Sequence, residues 1–176
     1  MKKKLSIYLA GGMEASNNLG ADWREKITPV IENLGLEVLN PVKFEPAQLK
    51  GLRPRNLPDT VTGANGKQIK VSHWHDLKYA TEPHFYKRFL TYMRRIIKYD
   101  IGIVCKEADY VVCYWNDTAS KGAGTHGELT YSFMENKPVY CVATKEMPAW
   151  AKACCTEIFE SFDRLNNFLA DEFGED

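Results

Sequence analysis

Apolar runs bounded by turn residues alternate with amphipathic stretches along this chain, and that alternation admits few folds. It is the βα rhythm of a mostly parallel sheet covered on both faces. LSIYLAG at 5–11 reads as a buried first strand, and 21–34 (ADWREKITPVIENL) as a helix stopped by Gly35, with Pro29 either kinking it or marking a later start. GLEVLNP is a short strand closed by Asn40-Pro41. The stretch 83–99 opens with Pro83 at a helix-start position and keeps helical spacing. ADYVVCYW at 108–115 is the clearest strand; a helix over 128–136, the strand KPVYCVA and a closing helix over 160–173 follow. That last helix turns Phe162, Leu165, Phe168 and Leu169 inward. The economical assembly is one α/β domain over 1–176, doubly wound in the Rossmann or flavodoxin-like manner, with four or five strands and flanking helices.

The segment at about 42–82 breaks the rhythm. With Pro41 just before it, it carries prolines at 46, 54 and 58 and four basic residues between Lys50 and Lys67, and Asn65-Gly66 sits between TVTGA and KQIKV. A Thr/Val run, an Asn-Gly and a Val/Ile run predict a hairpin, and a connection of this length reads as an inserted lid or hairpin.

Composition narrows the partners. Lys plus Arg and Asp plus Glu both number 23 in 176 residues, so no overall field draws the chain to nucleic acid or to an anionic membrane. The start, MKKKLSIYLAGG, has a signal peptide's lysines but too short an apolar run, and no apolar segment approaches the ~18 residues of a membrane span. The five cysteines (Cys105, Cys113, Cys141, Cys154, Cys155) form no CxxC pair and sit largely in apolar runs, which predicts reduced thiols in the cytoplasm.

The chemistry concentrates in KGAGTHGE at 121–128, where three glycines fall within six residues and an acid precedes an apolar run. The glycine-bearing loops after two strands, Gly11-Gly12-Met13 and Gly122, Gly124, Gly127, would converge at the carboxyl edge of a parallel sheet, where ligands bind. Glycine lets backbone approach a ligand and take up φ > 0, and amides at a helix start favour an anion. Glu128 would then open the next helix, kept ionised by the helix dipole and available as a nucleophile. A plain capping role for Glu128 stays open, and Thr125 is expected to cap the helix with its hydroxyl.

IYLAGGM, KYDIGIVCKEADYVVCYW and GAGTHGELTYSFMENKPVYCV, in that order, resemble the nucleoside 2-deoxyribosyltransferase superfamily, which includes the 2'-deoxynucleoside 5'-monophosphate N-hydrolases. The resemblance covers 5–14 and roughly 95–143. It implies an α/β enzyme that cleaves an N-glycosidic bond without a cofactor, acts on a small-molecule nucleoside or nucleotide, and assembles as a homo-oligomer whose neighbouring subunit completes the pocket. It implies Glu128 as nucleophile, Asp100 near sugar and base, and Tyr8 and Gly11 lining the base pocket; Gly12 and Met13, in the same loop, are further candidates for substrate contact. The reaction suits these groups, since departure of a base from C1' passes through an oxocarbenium-like state that a carboxylate stabilises or captures while an acid protonates the base. Gly122 departs from the pattern, because the transferases carry Asp and the monophosphate hydrolases Ser six residues before the nucleophile. Hydrolysis and transfer therefore both stay open, as does a binding module that senses nucleotide without turnover. GAGTHGE is also similar to the GGxGTxxE signature of phosphoribohydrolases, although their first-strand motif is missing.

Further residues are candidates. His126 is a possible proton carrier. Asn116 and Asp117, at the end of the clearest strand, are possible ribose contacts. Arg94, Arg95 and Lys98 could meet a 5'-phosphate or form a solvated face. His73-Trp74-His75-Asp76 offers an HxH without a third ligand at fixed spacing, so no metal is expected, and an aromatic tip that stacks on a base is the other reading. Asp109 reads as structural.

Overall fold

A computed structural model describes residues 4–13, 16, 18–48 and 57–174. These divide into two compact units, one formed by the chain up to Lys43 together with everything from Asp100 onward, the other by Phe44–Tyr99.

The first unit is built on a parallel sheet of five strands in the order β2-β1-β5-β6-β7. Strand β1 is Ser6–Gly11, β2 Glu37–Leu39, β5 Tyr110–Trp115, β6 Val139–Ala143 and β7 Glu157–Phe159. β1 lies between β2 (Tyr8 opposite Leu39) and β5 (Leu9 opposite Val112). The chain leaves β1 toward β2 and leaves β5 toward β6, so the junction of β1 and β5 is the switch point at which open α/β sheets bind ligands. Every β1 residue is buried, as the continuous apolar run requires.

Alternation along β1 separates its faces. Ile7 and Leu9 join the core with Trp23, Ile27 and Ile31 of α1 (Ala21–Asn33) and Leu165 and Leu169 of α7 (Phe162–Phe173). Tyr8 points to the opposite face, where its hydroxyl reaches α5 (Ala123–Met134). The remaining helices are α2 (Pro41–Gln48), α3 (Pro83–Lys106), α4 (Asp117–Lys121) and α6 (Ala149–Ala153). Pro29 lies inside α1 without ending it. Asp109 stitches the strand starts together, its Oδ2 accepting from the Ser6 amide at 3.0 Å and the Ser6 hydroxyl at 3.1 Å.

In the unit Phe44–Tyr99, β3 (Thr60–Thr62) and β4 (Gln68–Lys70) form the expected antiparallel hairpin. Its loop is longer than a two-residue Asn-Gly turn: the Gly63 amide donates to the Lys67 carbonyl, and Gly66 takes φ 75° inside it. Val61, Val71, Leu77 and Ala80 make its core. Trp74 is buried against Tyr92 at 5.4 Å, ring edge to ring face. This corrects the reading of 73–76 as an aromatic tip that stacks on a base, because the indole is already spent on packing. His73 instead caps a 3₁₀ turn, Trp74–Tyr79, accepting from the His75 amide, while Asp76 accepts from the Ser72 and His73 amides. Of the basic segment, Lys50, Arg53 and Arg55, with Pro54, lie outside the described residues.

The glycine-rich stretch departs from its expected form. It is no loop cradle: α4 occupies Asp117–Lys121, Gly122 joins it to α5, and Gly124 and Gly127 lie within α5. None of the three takes a positive φ. Glycine disfavours a helix by about 1 kcal/mol per residue, yet Thr125, Glu128, Leu129 and Ser132 recur at helical spacing on the buried face, and that packing prevails. Thr125 therefore caps nothing and is buried in the first turn; the N-cap is Gly122, without a side-chain hydrogen bond.

Candidate active site

Glu128 is the central group. α5 begins five residues before it, so it stands in the second turn rather than at the helix start, and the helix dipole has little hold on it there. It is 7% exposed. Its Oε1 accepts from the Tyr8 hydroxyl at 2.6 Å, a bond across the sheet face from β1 to α5. Its Oε2 is buried with no hydrogen-bond partner.

Burial governs the charge of this carboxyl. Desolvation pushes its pKa from the ordinary 4.5 up to about 7, against smaller downward pulls from the Tyr8 hydroxyl, the Arg24 cation and the Gly11 amide. That amide lies near enough to favour the anion without hydrogen-bond geometry to Oε2. The expectation of a permanently ionised carboxylate is thereby corrected: near neutrality Glu128 is divided between acid and anion. Tyr8, fully buried, is held well above its usual pKa, first by desolvation and then by the charges of Glu128 and Asp100.

Arg24 was no candidate from the sequence, yet it organises the site. It is 0% exposed. Beyond Tyr8, where β2 ends, its guanidinium takes the free carbonyls: Nε and Nη2 donate to Leu9 at 3.2 Å and Nη2 to Gly11 at 3.0 Å. Nη1 donates to Gly20 at 2.9 Å, and Glu128 is the foremost charge sustaining the cation against its desolvation. Gly20 has φ 70°, and a Cβ there would stand 2.7 Å from Arg24 Nη1 and 2.6 Å from the Gly12 carbonyl, so only glycine suits. A signal for Arg24 was legible: it shares the helical face of Ile27 and Ile31.

The other candidates fall as follows. Asp100 lies on α3, half-buried, and its charge bears on both Tyr8 and Arg24, which brings it to the same neighbourhood. Gly11 joins the two charged groups, carbonyl to Arg24 and amide toward Glu128. Gly12 packs on the start of α4, where a Cβ would lie 2.5 Å from the Ala119 amide nitrogen. Gly12→Ala is accordingly expected to cost about 1–3 kcal/mol in urea unfolding. Met13 is half-buried beside it. Asn116 is the α4 N-cap, its Oδ1 accepting from the Thr118 and Ala119 amides and the Thr118 hydroxyl. Asp117 is exposed and paired with Lys145 at 3.4 Å. His126 packs its ring edge-on against Trp115, centroids 4.9 Å apart. Gly124 is exposed, and Gly122 and Gly127 are partly so. Arg94, Arg95 and Lys98 are exposed on the part of α3 that belongs to the other unit.

An open cleft of about 440 Å³ lies at the same carboxyl edge, bounded by Gly20 before α1 and Trp23 within it, Tyr114 and Asn116 at the end of β5, and Phe162 and Asn166 of α7. Of the predicted site residues it takes in Asn116; Glu128 and Asp100 are not on its wall. Among the described residues no group of three His, Cys, Asp or Glu side chains is gathered for a metal, and no helix is long and apolar enough to cross a membrane. The five thiols are free.

No protein-family model matches the chain, and no curated protein matches it. Among solved structures, a 2-deoxyribosyltransferase from the psychrotolerant bacterium Bacillus psychrosaccharolyticus is similar at 17% identity, over 92% of this chain and 90% of that chain, with a TM-score of 0.47.

Proposed function

We propose that the chain is a distant member of the nucleoside 2-deoxyribosyltransferase superfamily and cleaves the N-glycosidic bond of a (deoxy)nucleoside or its 5'-monophosphate, with Glu128 as nucleophile. The observation that carries this reading is the state of one side chain: a buried carboxyl with Oε1 held by the Tyr8 hydroxyl and Oε2 left without a partner. Burying a polar oxygen unpaired costs stability, and such costs persist where a group is kept for chemistry. A pKa near 7 and a second carboxylate, Asp100, close enough to act on the same tyrosine mark a perturbed, functional neighbourhood.

In the proposed step Oε2 attacks C1' as the C1'–N bond breaks. The bonding pair leaves with the base, which takes a proton from water, and a glycosyl ester forms on Glu128, with Asp100 assisting beside sugar and base. Water attacking C1' regenerates Glu128 and gives a hydrolase; a second base gives a transferase. Tyr8 and Gly11 would border the base and Asp117 the ribose, with Gly12, Met13, Gly122, Gly124, Thr125 and His126 as the remaining candidate substrate contacts. The reaction needs no cofactor or metal, and the reading carries with it a small-molecule substrate rather than nucleic acid or membrane, a homo-oligomer, and the cytoplasm.

Base release from a panel of ribo- and deoxynucleosides and their 5'-monophosphates, followed by chromatography, tests this, and addition of a second base separates transfer from hydrolysis. The competing reading is a nucleotide sensor without turnover, favoured by Gly122 standing where relatives of this pattern carry Asp or Ser. Tight binding of one panel member with no free base from any of them would support the sensor. A phosphoribohydrolase would release base only from ribonucleoside 5'-monophosphates.

The pH dependence has a definite sign. The nucleophile is the anion, so kcat/KM is expected to rise tenfold per unit below about pH 7 and level off above it. Tyr8→Phe removes a donor that favours the anion, and the inflection should move up by about one unit. An unmoved inflection would separate Glu128 from the titrating group.

A further inference from the structure

We propose that the cleft between α1, β5 and α7 is a second ligand site, distinct from Glu128, that takes a neutral planar heterocycle bearing N–H donors, such as a free nucleobase. Its position follows from the pleat: Leu9 and Ile7 face the α1 and α7 layer with Trp23, whereas Tyr8 faces α5 and Glu128. Neither Glu128 nor Asp100 borders the cleft. The proposal therefore stands whether or not Glu128 cleaves a glycosidic bond.

Three features set the ligand class. The volume, about 440 Å³, falls in the range of small-molecule sites. One wall is aromatic, drawn from three separate elements: Trp23 and Phe162 are stacked with centroids 6.0 Å apart, and Tyr114 lies 5.6 Å from Trp23 and 5.0 Å from Phe162. Tyr114 and Phe162 are only half-buried, so ring surface remains for a planar guest to lie on. Trp23 and Phe162 are too close to admit a ring between them, so the guest stacks on the wall rather than intercalating.

The third feature is Asn166. It lines the cleft, and its Oδ1 is buried without a hydrogen-bond partner. A carbonyl oxygen accepts only, so the group that completes it is a donor: an exocyclic amine or a ring N–H. The charged groups at the cleft, Asp22 and Lys26, are one of each sign and select for neither anion nor cation. Asn116 has committed its oxygen to the α4 cap, which leaves its amide nitrogen as a donor for a ring acceptor. Together an acceptor, a donor and an aromatic face match the edge and face of a nucleobase.

The test is binding by the full chain, by calorimetry and by shift of the Trp23 indole N–H in nitrogen-edited NMR spectra, assigned with Trp23→Phe. Adenine and cytosine are the probes, and trimethylxanthine, planar but without N–H donors, is the control. Adenine or cytosine is expected to bind and to shift the Trp23 resonance, more tightly than the control. Asn166→Leu should weaken the bases about tenfold and leave the control unchanged, while Asn166→Asp, which keeps an acceptor oxygen, retains them. Glu128→Gln should bind as the wild type does. Absence of binding by either base at millimolar concentration overturns the proposal. So does binding that Glu128→Gln abolishes and the Asn166 variants leave intact, which would put the base on the other face. Should Asn166→Leu fail to fold, the Trp23 shift and the Asn166→Asp comparison decide the matter.

Discussion

Glu128→Gln is expected to lower base release by roughly 10³-fold or more while making the protein more stable above neutral pH. The two effects have one origin. Glutamine keeps the shape and can still accept from the Tyr8 hydroxyl, so the bond between β1 and α5 survives. It cannot form an ester at C1', so the nucleophile is gone. The carboxyl's folded pKa, about 7, lies above its ordinary 4.5, so the native state holds the proton more tightly than the unfolded chain. Its contribution is complete below about pH 4.5 and is lost as pH rises to about 7, a fall of roughly 3 kcal/mol at 1.36 kcal/mol per unit. The variant lacks that fall. Urea unfolding at pH 8 should place it up to about 3 kcal/mol above wild type, and at pH 4 the two should coincide. A variant no more stable than wild type at pH 8 would mean that the buried carboxyl carries no such cost.

Arg24→Ala is expected to destabilise the chain by about 3–5 kcal/mol, enough to leave it largely unfolded if its stability is ordinary. The loss is chiefly one of backbone satisfaction. The carbonyls of Leu9, Gly11 and Gly20 would be stranded in the interior, and a void would open under Trp23, whose ring the guanidinium covers at 4.6 Å. Arg24→Met fills the void but leaves the carbonyls unpaired, so it should recover only part of the loss. Without the cation nearby, the Glu128 pKa climbs past 7, and any activity left in Arg24→Met should require a higher pH. Urea unfolding checks the first effect and a pH–rate profile the second. Full stability in Arg24→Met would show that the carbonyls are not held by this side chain.

The longer strands and the layer structure were legible because burial on both faces leaves unbroken apolar runs, as in β1 and β5. The short pieces escaped. β7 and α6 carry too few residues for a period to declare itself, and α2 begins at Pro41, which read as the end of a strand. The glycines of α5 misled for a physical reason: local propensity disfavours a helix there, and only the buried face with Leu129 and Ser132 secures it. Glu128, Asp100, Tyr8 and Gly11 stood out in the sequence, and the structure brings them into one neighbourhood. Arg24 did not, because an arginine on an apolar helical face reads as a surface residue until the stranded carbonyls it serves are known. The state of Glu128 was misjudged likewise, since its burial arises from long-range packing of α5 on β1.

The most direct test is to incubate the protein with a 2'-deoxy-2'-fluoroarabinosyl nucleoside, whose fluorine slows both formation and hydrolysis of a glycosyl ester, and to map the peptides by mass spectrometry. Glu128 should carry one fluorinated sugar, base release should be blocked in proportion, and Glu128→Gln should remain unlabelled. Inactivation with the sugar on another residue, or with Glu128 unmodified, would contradict a nucleophilic role for this carboxylate.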